Sequence, residues 1–318
     1  MKLRPTCVAS MVAILAVAVG GCGSQSNAAQ NDDRGHASIA EDGGGAKVAL
    51  IRRVSRAPVV GRPGQVRPTW RVAASVGGQP AAWIAQRSGV TLLRFDQRLV
   101  RLDLHAGSGE PRGHGWRYGD RIGASEIHRV VAAFNGGFKL GYGSVGFEAY
   151  GRVGVPLAAG LGSIVTYRNG TTEIGAWHRD VPARGLAVVS VLQNLHLLVD
   201  RGVVAPTVQS CIVICWGKTV GGLAATARSA LGIASNGQLV WAAGERLTPA
   251  TLAHALVDAG VVRAVELDIN PGWVSGYLYI HHSGGPTAVG VVPGQEGIPK
   301  RLLGPDRRDF FTIIANAT

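Results

Sequence analysis

Three stretches of the chain end an apolar run on residues able to do chemistry. In Ala132-Ala133-Phe134-Asn135-Gly136-Gly137-Phe138 an amide side chain closes the run. The two glycines after it lack Cβ atoms and so let a ligand approach the backbone closely; the same residues also suit a plain turn. In Ala227-Arg228-Ser229-Ala230-Leu231-Gly232 an arginine opens a strand. Its planar fork can grip a phosphate through two parallel hydrogen bonds, or it can lie solvated on the surface. In Val265-Glu266-Leu267-Asp268-Ile269-Asn270-Pro271-Gly272-Trp273 two carboxylates stand two positions apart. On a strand they project from one face, about 7 Å apart. Paired carboxylates of inverting glycosidases use such separations, and strand-end carboxylates also serve as acceptors for neighbouring loops.

Other polar groups offer less. Trp177-His178-Arg179-Asp180 follows a predicted hairpin strand, so Asp180 either lines a pocket rim or sits in a polar loop. His281 and His282 are adjacent, and neighbours on a strand face opposite ways, which reads as structural. Asp103 and His105 share a strand face and read as a solvated edge. Cys211 and Cys215 have no histidine pair nearby, short of the four ligands a structural zinc takes. A small-loop disulfide and two free thiols both fit that spacing. No metal and no cofactor are expected.

Short strands must position these residues. Val90 to Phe95 and Leu99 to His105 flank a turn at Asp96-Gln97, and Val130 to Phe134 reads as a buried strand. Asn169-Gly170 joins Ser163–Tyr167 to Thr171–Trp177, and Asn236-Gly237 joins Ala230–Ala234 to Gln238–Ala242; both are hairpin signals. Thr248 caps a predicted helix with Pro249 in its first turn and Gly260 at its end. Strand 238–242, helix 249–259 and strand 263–267 then form a βαβ-like unit, whose crossover should be parallel and right-handed. The expected class is α+β: a single domain with a mixed, strand-rich sheet core and few helices.

The N-terminus sets what enters that domain. Lys2 and Arg4 precede an apolar run from Val8 to Val19, about twelve residues, which suits a signal-peptide core and is too short to span a membrane. It leads into Val19-Gly20-Gly21-Cys22, a sequence resembling the bacterial lipobox, in which the cysteine is acylated. The expected organisation is a signal peptide at 1–21, a polar tether and transition at 22–68, and a folded domain at 69–318. Cys22 would anchor the protein by lipid on the extracytoplasmic face of the cell membrane. The chain carries 32 Lys and Arg against 20 Asp and Glu, with the basic residues scattered rather than clustered. Scattered charge on an exported chain argues against a nucleic-acid partner and for attraction to an anionic envelope.

Taken together, the three strand-end stretches resemble the phosphodiester glycosidase family over roughly residues 70 to 315. Asn135 to Phe138 and Arg228 to Gly232 match the family's first two motifs, and Leu267-Asp268 matches the start of the third. The intervening order of hairpin and helix also agrees. A bacterial subgroup looks similar at Gln193-Asn194-Leu195 and Leu198-Val199-Asp200. Beyond Asp268 the chain departs: Ile269-Asn270-Pro271-Gly272-Trp273 replaces a glycine-and-serine run. The resemblance implies a hydrolase that releases a sugar from a sugar-1-phosphodiester on a phosphorylated glycan. Asp268, with Glu266 as partner, would activate water or stabilise an oxocarbenium-like centre. Arg228, with Lys139 as a second cation, would hold the phosphate, and Asn135 would orient hydroxyls. Gly136, Gly137, Asp180, Asn270 and Trp273 would line the substrate site, the indole offering a stacking face. The alternative is an inactive glycan-binding or scaffolding lipoprotein of the same fold.

Overall fold

Runs rich in valine, isoleucine and aromatic residues favour the extended backbone, where branched side chains pack on a pleated surface. In the computed structural model, which describes residues 48–49, 67–141, 145–217, 219–295 and 302–317, such runs assemble into three sheets. The signal segment, Cys22 and nearly all of the tether lie outside the described residues. All described residues belong to one compact unit, Gly44–Thr318.

The largest sheet has nine strands, in the order Val48–Ala49, Arg71–Val76, Gln79–Arg87, Val90–Phe95, Leu239–Leu247, Thr226–Ala234, Val261–Glu266, Leu197–Asp200 and Val203–Val204. A second sheet orders Thr172–Ala176, Gly162–Tyr167, Val188–Asn194, Val145–Ala149 and Arg152–Val155. A third orders Gly285–Gly290, Gly276–His282, Val130–Asn135, Phe310–Ala315 and Val100–His105. Val90–Phe95 and Val100–His105 thus fall in different sheets, and the Asp96-Gln97 turn carries the chain from one to the other.

Among the described residues, neighbouring strands within these sheets pair antiparallel. The expected crossover strands, Leu239–Leu247 and Val261–Glu266, do run parallel to each other, but Thr226–Ala234 lies between them and pairs antiparallel with both. The helix of that unit spans Pro249–Asp258, and the Thr248 side chain accepts from the Thr251 N–H, as a cap should. Its inner face buries Leu252 and Leu256 completely. Each such leucine contributes about 1.5–3 kcal/mol by leaving water. No helix among the described residues is long and apolar enough to cross a membrane.

The main core contains Phe95, Phe134, Trp241 and Phe311, with Phe134 ring centroids 5.4 Å from Trp241 and 5.7 Å from Phe311. These large rings fix the end of Val130–Asn135 against the nine-stranded sheet. The cysteine segment forms two helical turns, Thr207–Ser210 and Ile212–Cys215, stapled by a Cys211–Cys215 disulfide. Asp103 and His105 are buried, not on a solvated edge. Asp103 pairs with Arg101 at 2.9 Å, and His105 lies 3.2 Å from both Glu126 and Thr312, stacked on Phe310. His281 sits within 2.7 Å of the Val130 carbonyl, while His282 is exposed.

Candidate functional site

Three strand ends converge from two sheets. Val130–Asn135 delivers Asn135-Gly136-Gly137, Phe310–Ala315 is preceded by Arg308-Asp309, and Val261–Glu266 runs out to Asp268. Polar bonds tie them across the gap between sheets. The Asp268 N–H donates to Gly136 O (3.0 Å). Asn135 Nδ2 donates to Ser229 Oγ (2.8 Å), which donates to the main-chain oxygen of Asp268 (2.9 Å). Asn135 is therefore held by Ser229, by Gly136 O and by the Ser275 N–H. It shapes the floor of the site.

Arg228 and Glu266 do not take the roles the sequence pointed to. Their side chains are wholly buried and pair at 2.7 Å. Arg228 also donates to the carbonyls of Leu247 (3.0 Å), Trp216 (2.9 Å) and Ala224 (3.4 Å). A guanidinium so enclosed has no face left for a phosphate, and Glu266, whose Oε2 lacks a hydrogen-bond partner among the described residues, is sealed from solvent. Burial pushes the Glu266 carboxyl up to about 7 against the pull of Arg228. The pair belongs to the interior and positions the strands that carry Ser229 and Asp268.

The cation that does face Asp268 is Arg308, which the sequence reading passed over. Its Nη2 lies 3.2 Å from Asp268 Oδ2 and donates to Gly137 O (3.0 Å). Its Nε lies 3.4 Å from a Glu110 carboxylate oxygen and 4.0 Å from Asp309 Oδ1. The Arg308 and Asp268 side chains remain 13% and 8% exposed, so a ligand can reach them. Burial raises the Asp268 carboxyl, while Arg308 and the amides of Asn270 and Ile269 pull it down. Asp309 is fully enclosed, and burial pushes it up to about 7. Its Oδ2 accepts from the Gly137 N–H (2.8 Å), and its Oδ1 has no hydrogen-bond partner among the described residues.

That carboxyl explains the glycine motif. A Cβ added to Gly136 would stand 1.9 Å from Asp309 Oδ2, whereas one on Gly137 would meet Leu192 at 3.4 Å, an ordinary contact. Gly136 is required by sterics and Gly137 is not. Asn194, also buried, accepts from the Phe138 N–H and donates to Glu266 O. It locks the glycine loop to the end of the carboxylate strand.

The segment Ile269–Trp273 folds as linked turns. Asp268 Oδ1 accepts from the Asn270 N–H (2.9 Å), and Asn270 Oδ1 accepts from the Gly272 N–H (3.0 Å). Asn270 is an exposed turn-former. Trp273 reaches the cleft, with the Arg308 guanidinium 5.6 Å from its ring. Lys139 is exposed just beyond the glycines. Asp180 does not line this cleft: Arg179 (2.7 Å) and Arg263 (3.1 Å) hold its carboxylate. The cleft is lined by Asn135, Gly136, Asp268, Trp273, Arg308 and Asp309 among others, with a volume of about 10 Å³. The signal for Arg308 and Asp309 was available: Asp306-Arg307-Arg308-Asp309 immediately precedes an apolar strand, as the other chemical residues adjoin theirs.

No protein-family model matches the chain, and no curated protein does either. Among solved structures it is similar to the catalytic domain of zebrafish N-acetylglucosamine-1-phosphodiester alpha-N-acetylglucosaminidase auto-inhibited by its pro-peptide. That likeness has 15% identity and a TM-score of 0.47, covering 86% of this chain and 88% of that one. A protein from Synechocystis is similar at 14% identity and a TM-score of 0.41, over 80% of this chain and 65% of that chain. Both resemblances are remote.

Proposed function

We propose that the protein is a cell-envelope hydrolase, anchored by lipid on Cys22, that cleaves a sugar-1-phosphodiester at its glycosidic bond. The observation that carries this reading is the Asp268 carboxylate, partly open to the cleft, 3.2 Å from the Arg308 guanidinium. The matches of Asn135–Phe138, Arg228–Gly232 and Leu267-Asp268 to the phosphodiester glycosidase motifs support it.

The chemistry asks little of a general acid, because a phosphate monoester leaves well as an anion. It asks for a cation on the phosphate and a carboxylate at the anomeric carbon. Arg308 takes the cation's role in place of Arg228. Asp268 accepts a proton from water as the new carbon–oxygen bond forms and the bond to the phosphate oxygen breaks. Trp273 offers the sugar a stacking face. Asn135, Ser229 and the Arg228–Glu266 pair act as positioning groups. Asp309, keeping its proton up to about pH 7, removes one negative charge from beside an anionic substrate.

A second reading has its own support. The Pro271-Gly272-Trp273 turn, which sets an indole at the cleft in place of a glycine-and-serine run, favours a glycan-binding protein without turnover. One experiment separates the two. The full chain and an Asp268→Asn variant are incubated with a panel of sugar-1-phosphodiesters, and released sugar is identified by mass spectrometry. We expect free reducing sugar from the parent and a loss of about 10²–10⁴-fold in the variant. Sugar released still phosphorylated would assign the cut to the other side of the phosphate. No release from a folded parent would leave the binding reading standing.

A further inference from the structure

A second hollow shares no lining residue with the Asp268 cleft and has a volume of about 290 Å³. It opens where the edge strand Val100–His105 meets the ends of strands from the second sheet. Arg101, Arg117, Arg168, Asp103 and Tyr150 are among the residues that line it. Arg101 is engaged by Asp103. Arg117 and Arg168 are exposed, and among the described residues neither pairs with a carboxylate. Arg117 lies instead over the rings of Tyr150 (4.9 Å) and Tyr118 (5.9 Å). Three guanidinium groups against one carboxylate leave the hollow with a positive field.

Tyr150 adds an independent sign. It occupies a two-residue hairpin loop with Gly151, at φ 54° and 75°. Such loops take asparagine, aspartate or glycine at the first position, and a bulky residue there is a genuine outlier. Arg201-Gly202 forms a hairpin loop of the same kind, at φ 51° and 76°, so what sets Tyr150 apart is its ring. Its ring, edge-on to Tyr118, stays 40% exposed over the hollow. Burial raises the Tyr150 phenol well above its ordinary value, so it remains a neutral hydrogen-bond donor.

We propose that this hollow is a second binding site, for a monosaccharide unit bearing an oxyanion. Arg117 and Arg168 receive the anionic group, and the Tyr150 ring receives the sugar face. The volume sits at the lower end of small-ligand sites, which suits one sugar and its charge. The inference does not rest on the reaction assigned to Asp268.

The test is calorimetric titration of the full chain with glucose 6-phosphate, glucuronate, inorganic phosphate and glucose, repeated on Arg308→Ala, which removes the cation of the Asp268 cleft. At least one anionic sugar should bind tenfold or more tighter than both phosphate and glucose, equally in Arg308→Ala. The Arg117→Ala/Arg168→Ala variant should weaken that binding at least tenfold. Because both arginines are exposed, its melting temperature should match the parent. Tyr150→Gly, which removes the ring and relieves the backbone, should abolish the preference for sugar over phosphate. Anionic sugars that bind no tighter than inorganic phosphate would overturn the proposal. So would binding that survives both arginine substitutions.

Discussion

Two arginine–carboxylate pairs lie at the converging strand ends, and they are built for opposite ends. Arg228–Glu266 is the shorter, at 2.7 Å, with both side chains sealed from solvent. Arg308–Asp268 is longer, at 3.2 Å, with 13% and 8% of the side chains still exposed. In the first pair the arginine's donors also serve three main-chain carbonyls. In the second, a single arginine is shared among Asp268, Glu110 and Asp309. A buried charge is tolerated only when paired and hydrogen-bonded, so good geometry inside the protein is a mark of structure. A reactive pair must leave something for the substrate to complete.

The sharpest way to break that distinction is to truncate each arginine. Arg228→Ala strips the buried Glu266 carboxyl of its partner and leaves three main-chain carbonyls without their donor, and should cost about 3–5 kcal/mol of stability, read by urea denaturation. Arg308→Ala takes the cation from largely buried carboxylates but leaves Asp268 open to the cleft, and should cost less, about 1–3 kcal/mol. Its turnover of a sugar-1-phosphodiester should nonetheless fall by about 10²–10³-fold, as for loss of a donor aimed at developing charge. Should Arg308→Ala unfold the protein while Arg228→Ala keeps its stability and loses turnover, the two roles are reversed.

The same contrast shows what could be read in the sequence. Strand ends followed by polar residues pointed to Asn135 and Asp268, which line one cleft, and to Arg228, next in sequence to the Ser229 that bridges them, because an apolar run that stops at a polar group must stop near water or a partner. The Thr248 cap, both Asn-Gly hairpins and the strand-rich class were legible for similarly local reasons. Burial of individual arginines was not. Arg228 and Arg308 both adjoin apolar strands, and only the packing of the Trp216 loop over one of them tells the two apart. Asp103 and His105 misled for the same reason, since a strand that alternates polar and apolar residues can still have its polar face covered. The Asp96-Gln97 turn was legible, but not whether the strands it joins share a sheet, because sheet membership is decided by distant partners such as Leu239–Leu247 and Phe310–Ala315.

A smaller effect sharpens the comparison at the glycine pair. Gly136→Ala forces a methyl group onto the Asp309 carboxylate, 1.9 Å from Oδ2, and should cost about 1–3 kcal/mol as overpacking. Gly137→Ala meets Leu192 at 3.4 Å and Asn194 Oδ1 at 3.6 Å, both ordinary contacts, and should stay within about 0.5 kcal/mol of the parent. Thermal melts of the two variants measure the difference. Equal melting temperatures would mean that the Asp309 carboxyl does not lie under Gly136 as described.

The smallest effect concerns protons. Burial pushes both Glu266 and Asp309 to about 7, above their ordinary 4.5 and 3.8. A carboxyl raised on folding binds its proton more tightly in the native state than in the unfolded chain. Its contribution is fully present below the unfolded pKa and is lost as pH rises through the folded one. Stability should therefore fall between about pH 4 and pH 7, opposite to the trend from carboxylates held low by surface arginines, such as Asp96. Asp309→Asn removes one of the two titrations and leaves the Glu266 share. Its melting temperature between pH 5 and pH 8 should decline less than the parent's, by a few degrees, since roughly 1 kcal/mol moves a domain of this size by 2–4 °C. Parallel profiles for parent and variant would mean that Asp309 is already ionised in the fold. Arg308 would then face a third full negative charge, and the case for an anionic substrate beside Asp268 would weaken with it.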